Sequence, residues 1–278
     1  MNTQLKNTLA AAYMPVALMT QPNWKGDEFC FLIITYYKRF ENFKKVLEKL
    51  DRWYPNFKKL VFVNGREDNA AEQQVYLSEI KKFISGYKNI QAKYFEGFVI
   101  PSKLWNLGFI DSPSEHVVVL NDSVTITGPF MTKAMVLHPF TKINDSFSNY
   151  VISKPVLAKI GWFDENLKAG ASETDGDMEI RLFLNGLPTF RKRSLYITWK
   201  KFENPVVWDK KLGGVVGGKT SSYNTEYLNK KWKISKRPFE GGRFWPISRD
   251  YFAGPNPGFE TPNPYPEVLK DWQQKYLL

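Results

Sequence analysis

Three carboxylates fall within five residues at Glu173-Thr-Asp175-Gly-Asp177. Such charges repel one another and persist only where they are solvated, paired or used. One of them, held at the rim of a crevice, is a general base able to take the proton of a hydroxyl nucleophile. In the alternative reading, Asp175 or Asp177 caps the helix that Met178, Ile180, Leu182 and Leu184 predict over 176–186. A further carboxylate, Asp122, follows Val117-Val-Val-Leu120 with only Asn121 between. A strand end of that kind can hold a hard divalent cation, Mg²⁺ or Mn²⁺, when phosphate oxygens supply most of the ligands. It can equally be a turn residue bonded to its own backbone. Two more strand ends carry mixed chemistry: Thr35-Tyr36-Tyr37-Lys38-Arg39, and Asn64-Gly65-Arg66-Glu67-Asp68. A nucleotide needs such a mix, with an aromatic edge for the base, polar groups for the ribose and positive charge for the phosphates. Loops are polar for simpler reasons too, and each end taken singly fits that reading.

These residues need elements to hold them. Phe31-Leu-Ile-Ile-Thr35, Leu60-Val-Phe-Val63, Ile90–Phe95 and Val117–Leu120 read as strands, most of them apolar enough to be buried on both faces. Residues 41–53 put Phe43, Val46, Leu47, Leu50 and Trp53 on one helical face. Further helices are predicted over 71–87, 102–110 and 154–160, and a strand over 194–198. This alternation predicts an α/β fold, Rossmann-like, with a mixed, mostly parallel central sheet. Ligands of such sheets bind outside the carboxyl ends of the strands, where the candidate residues sit. From Lys236 onward seven of the 17 prolines fall in 43 residues, so an irregular extension is expected there. The expected organisation is an N-terminal arm or helix over 1–28, a core over 29–205, and a C-terminal loop and extension over 206–278.

Composition narrows the function. The 278 residues carry 39 Lys+Arg against 28 Asp+Glu, a formal charge of +11. An anionic partner fits that surplus, and so does a lysine-rich solvated surface. One cysteine excludes an intramolecular disulfide and cysteine-bound zinc or iron–sulfur centres, and two histidines argue against a multi-histidine metal site. Cys30 reads as a buried core thiol, and a reducing, cytoplasmic location is expected. The apolar stretch Leu9–Met19 is too short to span a bilayer, which takes about 20 residues. Gly213-Gly-Val-Val-Gly-Gly218-Lys219-Thr220 spells GxxxxGK[ST]. It lies late in the chain with no acidic strand end after it, so a loop closing over a diphosphate is expected rather than a nucleotide triphosphatase P-loop. Basic clusters at Arg191–Arg193, Lys200-Lys201, Lys210-Lys211 and Lys230–Arg237 are interleaved with aromatics. They suit a nucleic-acid surface or solvated loops alike.

Four segments, in order, resemble the inverting family 2 glycosyltransferases of the GT-A fold. FLIITYYKRFENFKKVLEKL resembles their opening "TYNR" strand and helix. LWNLGF, with Asn106 and Gly108, resembles "ARNLG". VVVLNDSV resembles the strand ending in the DxD-type motif. IGWFDENLKAGASETDGDMEIRLFLNG resembles "iGgFDE…gEDxDlxlRl…G". Together they cover 31–186, and the later YLNKKW resembles a "KWG" element. The resemblance implies a hexosyl- or pentosyltransferase that takes a nucleotide-sugar donor, such as a UDP-sugar, to an acceptor hydroxyl with inversion. It implies Thr35, Tyr36 and Arg39 around the base and ribose, with Asn64 or Asp68 nearby. It also implies Asn106 at the sugar or diphosphate, Asn121-Asp122 at the diphosphate with Asp122 on the cation, and Asp175 as the base. Glu173 and Asp177 would hold acceptor hydroxyls or tune Asp175. The single DxD carboxylate and a missing histidine leave positive charge to be supplied by Lys200, Lys201 or Lys219. The acceptor implied is a glycan or polysaccharide, with a hydroxymethylated base of DNA suggested by the basic C-terminal third. Steep salt dependence would mark the DNA acceptor. The other class of function is a non-catalytic nucleic-acid or nucleotide binder on the same fold.

Overall fold

A computed structural model of the chain describes residues 23–36, 39–65, 70–167, 171–187, 189–199 and 222–234. The first half alternates strand and helix: β1 (Phe29–Tyr36), α1 (Phe40–Trp53), β2 (Lys59–Asn64), α2 (Ala70–Ile84), β3 (Ile90–Tyr94), α3 (Pro101–Asp111) and β4 (His116–Asn121). After β5 (Val124–Ile126) and α4 (Lys133–Leu137) comes a hairpin, β6 (Phe140–Ile143) and β7 (Ser146–Ser153). Then follow α5 (Lys154–Ile160), α6 (Ala171–Leu184), β8 (Thr189–Lys192), β9 (Ile197–Trp199) and α7 (Ser222–Lys231).

Seven strands form one sheet in the order β3-β2-β1-β4-β7-β6-β8. The pairs β3/β2, β2/β1, β1/β4 and β6/β8 are parallel, and β7 is antiparallel to both its neighbours. The fold is therefore α/β with a mixed, mostly parallel sheet. The expected fifth strand over 194–198 starts later, at Ile197. It pairs with β5 in a separate two-stranded ribbon instead of joining the main sheet.

Both faces of the sheet are covered, which is why β1 is apolar from Phe29 to Ile34. Phe29, Phe31 and Ile33 pack on one side with Phe43, Val46, Leu47 and Leu50 of α1. Cys30 and Leu32 pack on the other with Leu104, Leu107 and Phe109 of α3. Cys30 is fully buried, and burial pushes its thiol up to about 11, so it is an inert core residue.

The hairpin and the α6 boundary depart from the sequence reading. Asn144 and Asp145 take φ of 55° and 58°, the left-handed pair that a two-residue hairpin turn demands. Helix α6 begins at Ala171, so Asp175 and Asp177 lie inside it and neither is its cap. Helix α7 is pinned to α6 by a small cluster of Leu167, Ile180, Leu228 and Trp232. Among the described residues no helix is long and apolar enough to cross a membrane.

Candidate active site

Strand register brings the polar strand ends into one row. Tyr36 of β1 pairs with Asn64 of β2, and Ile34 pairs with Asn121 of β4. Leu120 pairs with Asn149 of β7, which sets Ser148 beside the end of β4. Over this row lies a cavity of about 280 Å³. Thr35, Tyr36, Arg39, Asn64, Asn121, Asp122 and Asp175 all line it, although they come from segments up to 140 residues apart (175 − 35). Pro101 and Trp105 of α3 and Phe147 and Ser148 of β7 complete its wall.

Asp122 is fully buried. Its Oδ1 accepts a hydrogen bond from Arg39 Nη1 at 2.7 Å, an ion pair whose arginine side chain remains one quarter exposed. The same nitrogen reaches Asn121 Oδ1 at 3.4 Å. Asn42, one turn into α1, donates to the Asp122 carbonyl. Burial raises the Asp122 pKa, and Arg39 only partly offsets this. The Thr35 hydroxyl and Tyr36 amide lie near enough to lower it further, yet neither makes a well-formed hydrogen bond to Oδ2. A buried carboxylate oxygen without a partner is costly. It is also the donor a hard divalent cation takes when phosphates complete its shell, so the site fits such an ion through one protein oxygen. Asn121 adds nothing to that set in this state: its Oδ1 accepts from Ser123 N at 2.9 Å and Ser123 Oγ at 2.7 Å. Among the described residues no cluster of three or more His, Cys, Asp or Glu could hold a metal.

Asn64 lines the cavity but also shapes it. Its Nδ2 donates to Val99 O and its Oδ1 accepts from Val99 N, both at 2.8 Å, fastening the segment that leads into α3. The next residue must be glycine, because a Cβ on Gly65 would lie 2.3 Å from the Phe95 carbonyl oxygen.

Asp175 is half-buried and faces the same cavity. Its charge is felt by Lys142 of β6 and by the buried hydroxyl of Tyr150 on β7. The remaining candidates go elsewhere. Asp177 is fully buried on another side of α6, where its carboxylate accepts from Arg181 Nη2, from Lys231 Nζ at 2.7 Å and from Trp232 Nε1 at 2.8 Å. Burial works against its ionisation, but Arg181 and Lys231 outweigh burial and hold its pKa down to about 2. Lys231 and Tyr227 also bond Asp164, so YLNKKW anchors α7 rather than lining the cavity. Asn106 is fully buried: its Nδ2 donates to Phe163 O and Glu165 Oε1, and its Oδ1 accepts from Phe163 N, each at 2.9 Å. It ties α3 to the loop before α6 and is absent from the cavity lining. Glu173 lies in the first turn of α6. Asp68, Lys200 and Lys219, with the whole GxxxxGKT segment, lie outside the described residues.

Sequence reasoning missed Asn42, Lys142, Trp105, Phe147 and Ser148. The signal for most of them was the Asn144-Asp145 turn, which announces the β6–β7 hairpin between two strand-like runs.

No protein-family model matches the chain, and no curated protein does. Solved structures that it is similar to include the mannosyltransferase PcManGT of Pyrobaculum calidifontis in complex with GDP-Man and Mn²⁺. That match has 9% identity and a TM-score of 0.47, covering 76% of this chain and 67% of that one. Another is S. aureus TarS, at 13% identity and a TM-score of 0.47, over 63% of this chain and 37% of that one. Both scores lie below one half, and the chemistry of the cavity is read from its own residues.

Proposed function

We propose that the protein is a glycosyltransferase that moves a sugar from a nucleoside-diphosphate donor to an acceptor hydroxyl with inversion. The observation that carries the reading is the single cavity lined by both the Arg39–Asp122 pair and Asp175. One part suits a leaving diphosphate; the other suits a nucleophile's proton. Tyr36, in edge contact with Phe98 at 6.4 Å, offers an aromatic wall for a base. Trp105 and Phe147 offer apolar surface to the carbon face of a sugar ring.

In the reaction the acceptor oxygen attacks the anomeric carbon and the bond from that carbon to the diphosphate oxygen breaks. Asp175 takes the hydroxyl proton, and the electron pair leaves with the diphosphate. Arg39 stabilises the charge that develops there, and Asp122 holds its guanidinium in place; electrostatic stabilisation of this kind is a large part of such a barrier. A divalent cation bound at Asp122 Oδ2 would add Lewis-acid stabilisation of the same oxygens. Attack on the face opposite the leaving group inverts the anomeric centre.

Thermal shift with UDP-, GDP- and dTDP-sugars, with and without Mn²⁺, tests the donor half, because ligand stabilisation follows binding. One nucleotide sugar should raise the melting temperature and, with an acceptor, give product of the opposite anomeric configuration by NMR. Failure of every nucleotide sugar to stabilise the protein would remove the proposal.

A further inference from the structure

Lys142 has no part in the chemistry above, yet it is a buried cation next to the proposed base. It lies on β6 and is only 5% exposed. Its ammonium pairs with Glu179, which is itself buried on α6 one turn after Asp175. Residues four apart share a helix face, so Asp175 and Glu179 present two carboxylates to the same strand. The Lys142 ammonium also sits 4.4 Å over the ring of Phe147, a wall residue of the cavity. The other groups around it are known. Arg191 is its register partner on β8, Asp145 lies in the adjoining turn, and Tyr150 is its partner on β7. Arg191 and Asp145 approach each other at 3.6 Å near the surface.

We propose that Lys142 is a positioning residue for Asp175, a cation that lets two neighbouring carboxylates on α6 stay ionised together and holds the base toward the cavity. This rests on the reading of Asp175 as the general base. Two carboxylates one turn apart in a place sheltered from water, with no cation between them, keep a proton on one of the pair. With Lys142 charged, Asp175 is ionised and held where it can accept the acceptor's proton. When Lys142 loses its proton at alkaline pH, both carboxylates stay ionised but repel each other, and the base loses its fixed direction. When the lysine is replaced at neutral pH, the proton kept on the pair can occupy the base.

The cation is poised to be lost. Burial lowers the Lys142 pKa to about 8, with Arg191 acting in the same direction and Asp175 and Asp145 opposing both. Transfer should therefore fall as pH rises through about 8. Arginine at this position stays charged at all accessible pH values.

The test compares the pH profile of transfer for wild type, Lys142→Arg and Lys142→Met, with donor affinity measured alongside. Lys142→Arg should move the alkaline fall upward by more than one pH unit. Lys142→Met should lose roughly 10²-fold in kcat at neutral pH, the scale of a misdirected catalytic group, with donor affinity unchanged. An alkaline fall left in place by Lys142→Arg overturns the proposal, and that variant decides the matter if Lys142→Met does not fold. NMR of the labelled lysine side chains reads the coupling without turnover. Asp175→Asn should lower the Lys142 titration midpoint, and an unchanged midpoint also overturns the proposal. A wild type that never transfers sugar would instead defeat the assignment of function, while the NMR result would still stand by itself.

Discussion

Breaking the Arg39–Asp122 pair from each side should give unequal costs, and the inequality follows from burial. Asp122 has no exposed surface, whereas the Arg39 side chain keeps one quarter of its own. Removing one partner of a fully buried pair costs about 3–5 kcal/mol, because the other charge is left uncompensated. Water reaches the exposed part of the arginine side chain and screens the pair, so Arg39→Ala should cost less, about 2 kcal/mol. For a chain of this size that corresponds to a fall of roughly 4–8 °C in melting temperature. Asp122→Asn leaves an arginine that can turn to solvent and an amide that needs no counter-charge, so about 1 kcal/mol is expected. The double variant should then be little worse than Asp122→Asn alone. Urea unfolding of all four proteins completes the cycle, with an expected coupling of about 1–2 kcal/mol. Additive single effects, with coupling of a few tenths of a kcal/mol, would refute the geometry from which the diphosphate site is built.

Three other outcomes follow from named contacts. Gly65→Ala forces a methyl against the Phe95 and Glu96 backbone, so a loss of about 1–3 kcal/mol is expected in chemical unfolding, with weakened donor binding as Asn64 and Val99 shift. Asp177→Asn should destabilise the protein by roughly 3–5 kcal/mol at neutral pH. Because its native pKa is lowered to about 2, the wild type should lose stability as pH falls from about 4 to 2, and the variant should lack that part of the acid limb. Asp122→Asn should abolish any calorimetric signal for Mn²⁺ in the presence of donor diphosphate; an unchanged signal would place the cation on other groups.

The strands were the most legible part of the sequence. Val117–Leu120 is four consecutive apolar residues, three of them β-branched and followed by Asn-Asp, which suits a short strand covered on both faces, and the position of Asp122 follows from its end. The hairpin was harder to read. Ser146–Ser153 opens with two serines and an asparagine around Phe147 before its apolar run Tyr150-Val-Ile152, and without its Asn-Asp turn that opening resembles a loop. The direction of side chains on α6 was not legible at all. Asp175 and Asp177 are two residues apart, so they point to different sides of a helix, one toward the cavity and one toward α7. Asn106 likewise has the residue type of a ligand-binding amide. Only the positions of Phe163 and Glu165, contributed by a segment 57 to 59 residues away, show that its hydrogen bonds fasten two parts of the core. Spacing along a chain carries no information about such distant partners.

The assignment of Asp175 bears most directly on function, and Asp175→Asn tests it with little change of shape. Donor affinity by calorimetry should match the wild type, while sugar transfer should fall by about 10²–10⁴-fold, the worth of a positioned base. Transfer at the wild-type rate by Asp175→Asn, with donor still bound, would contradict the account.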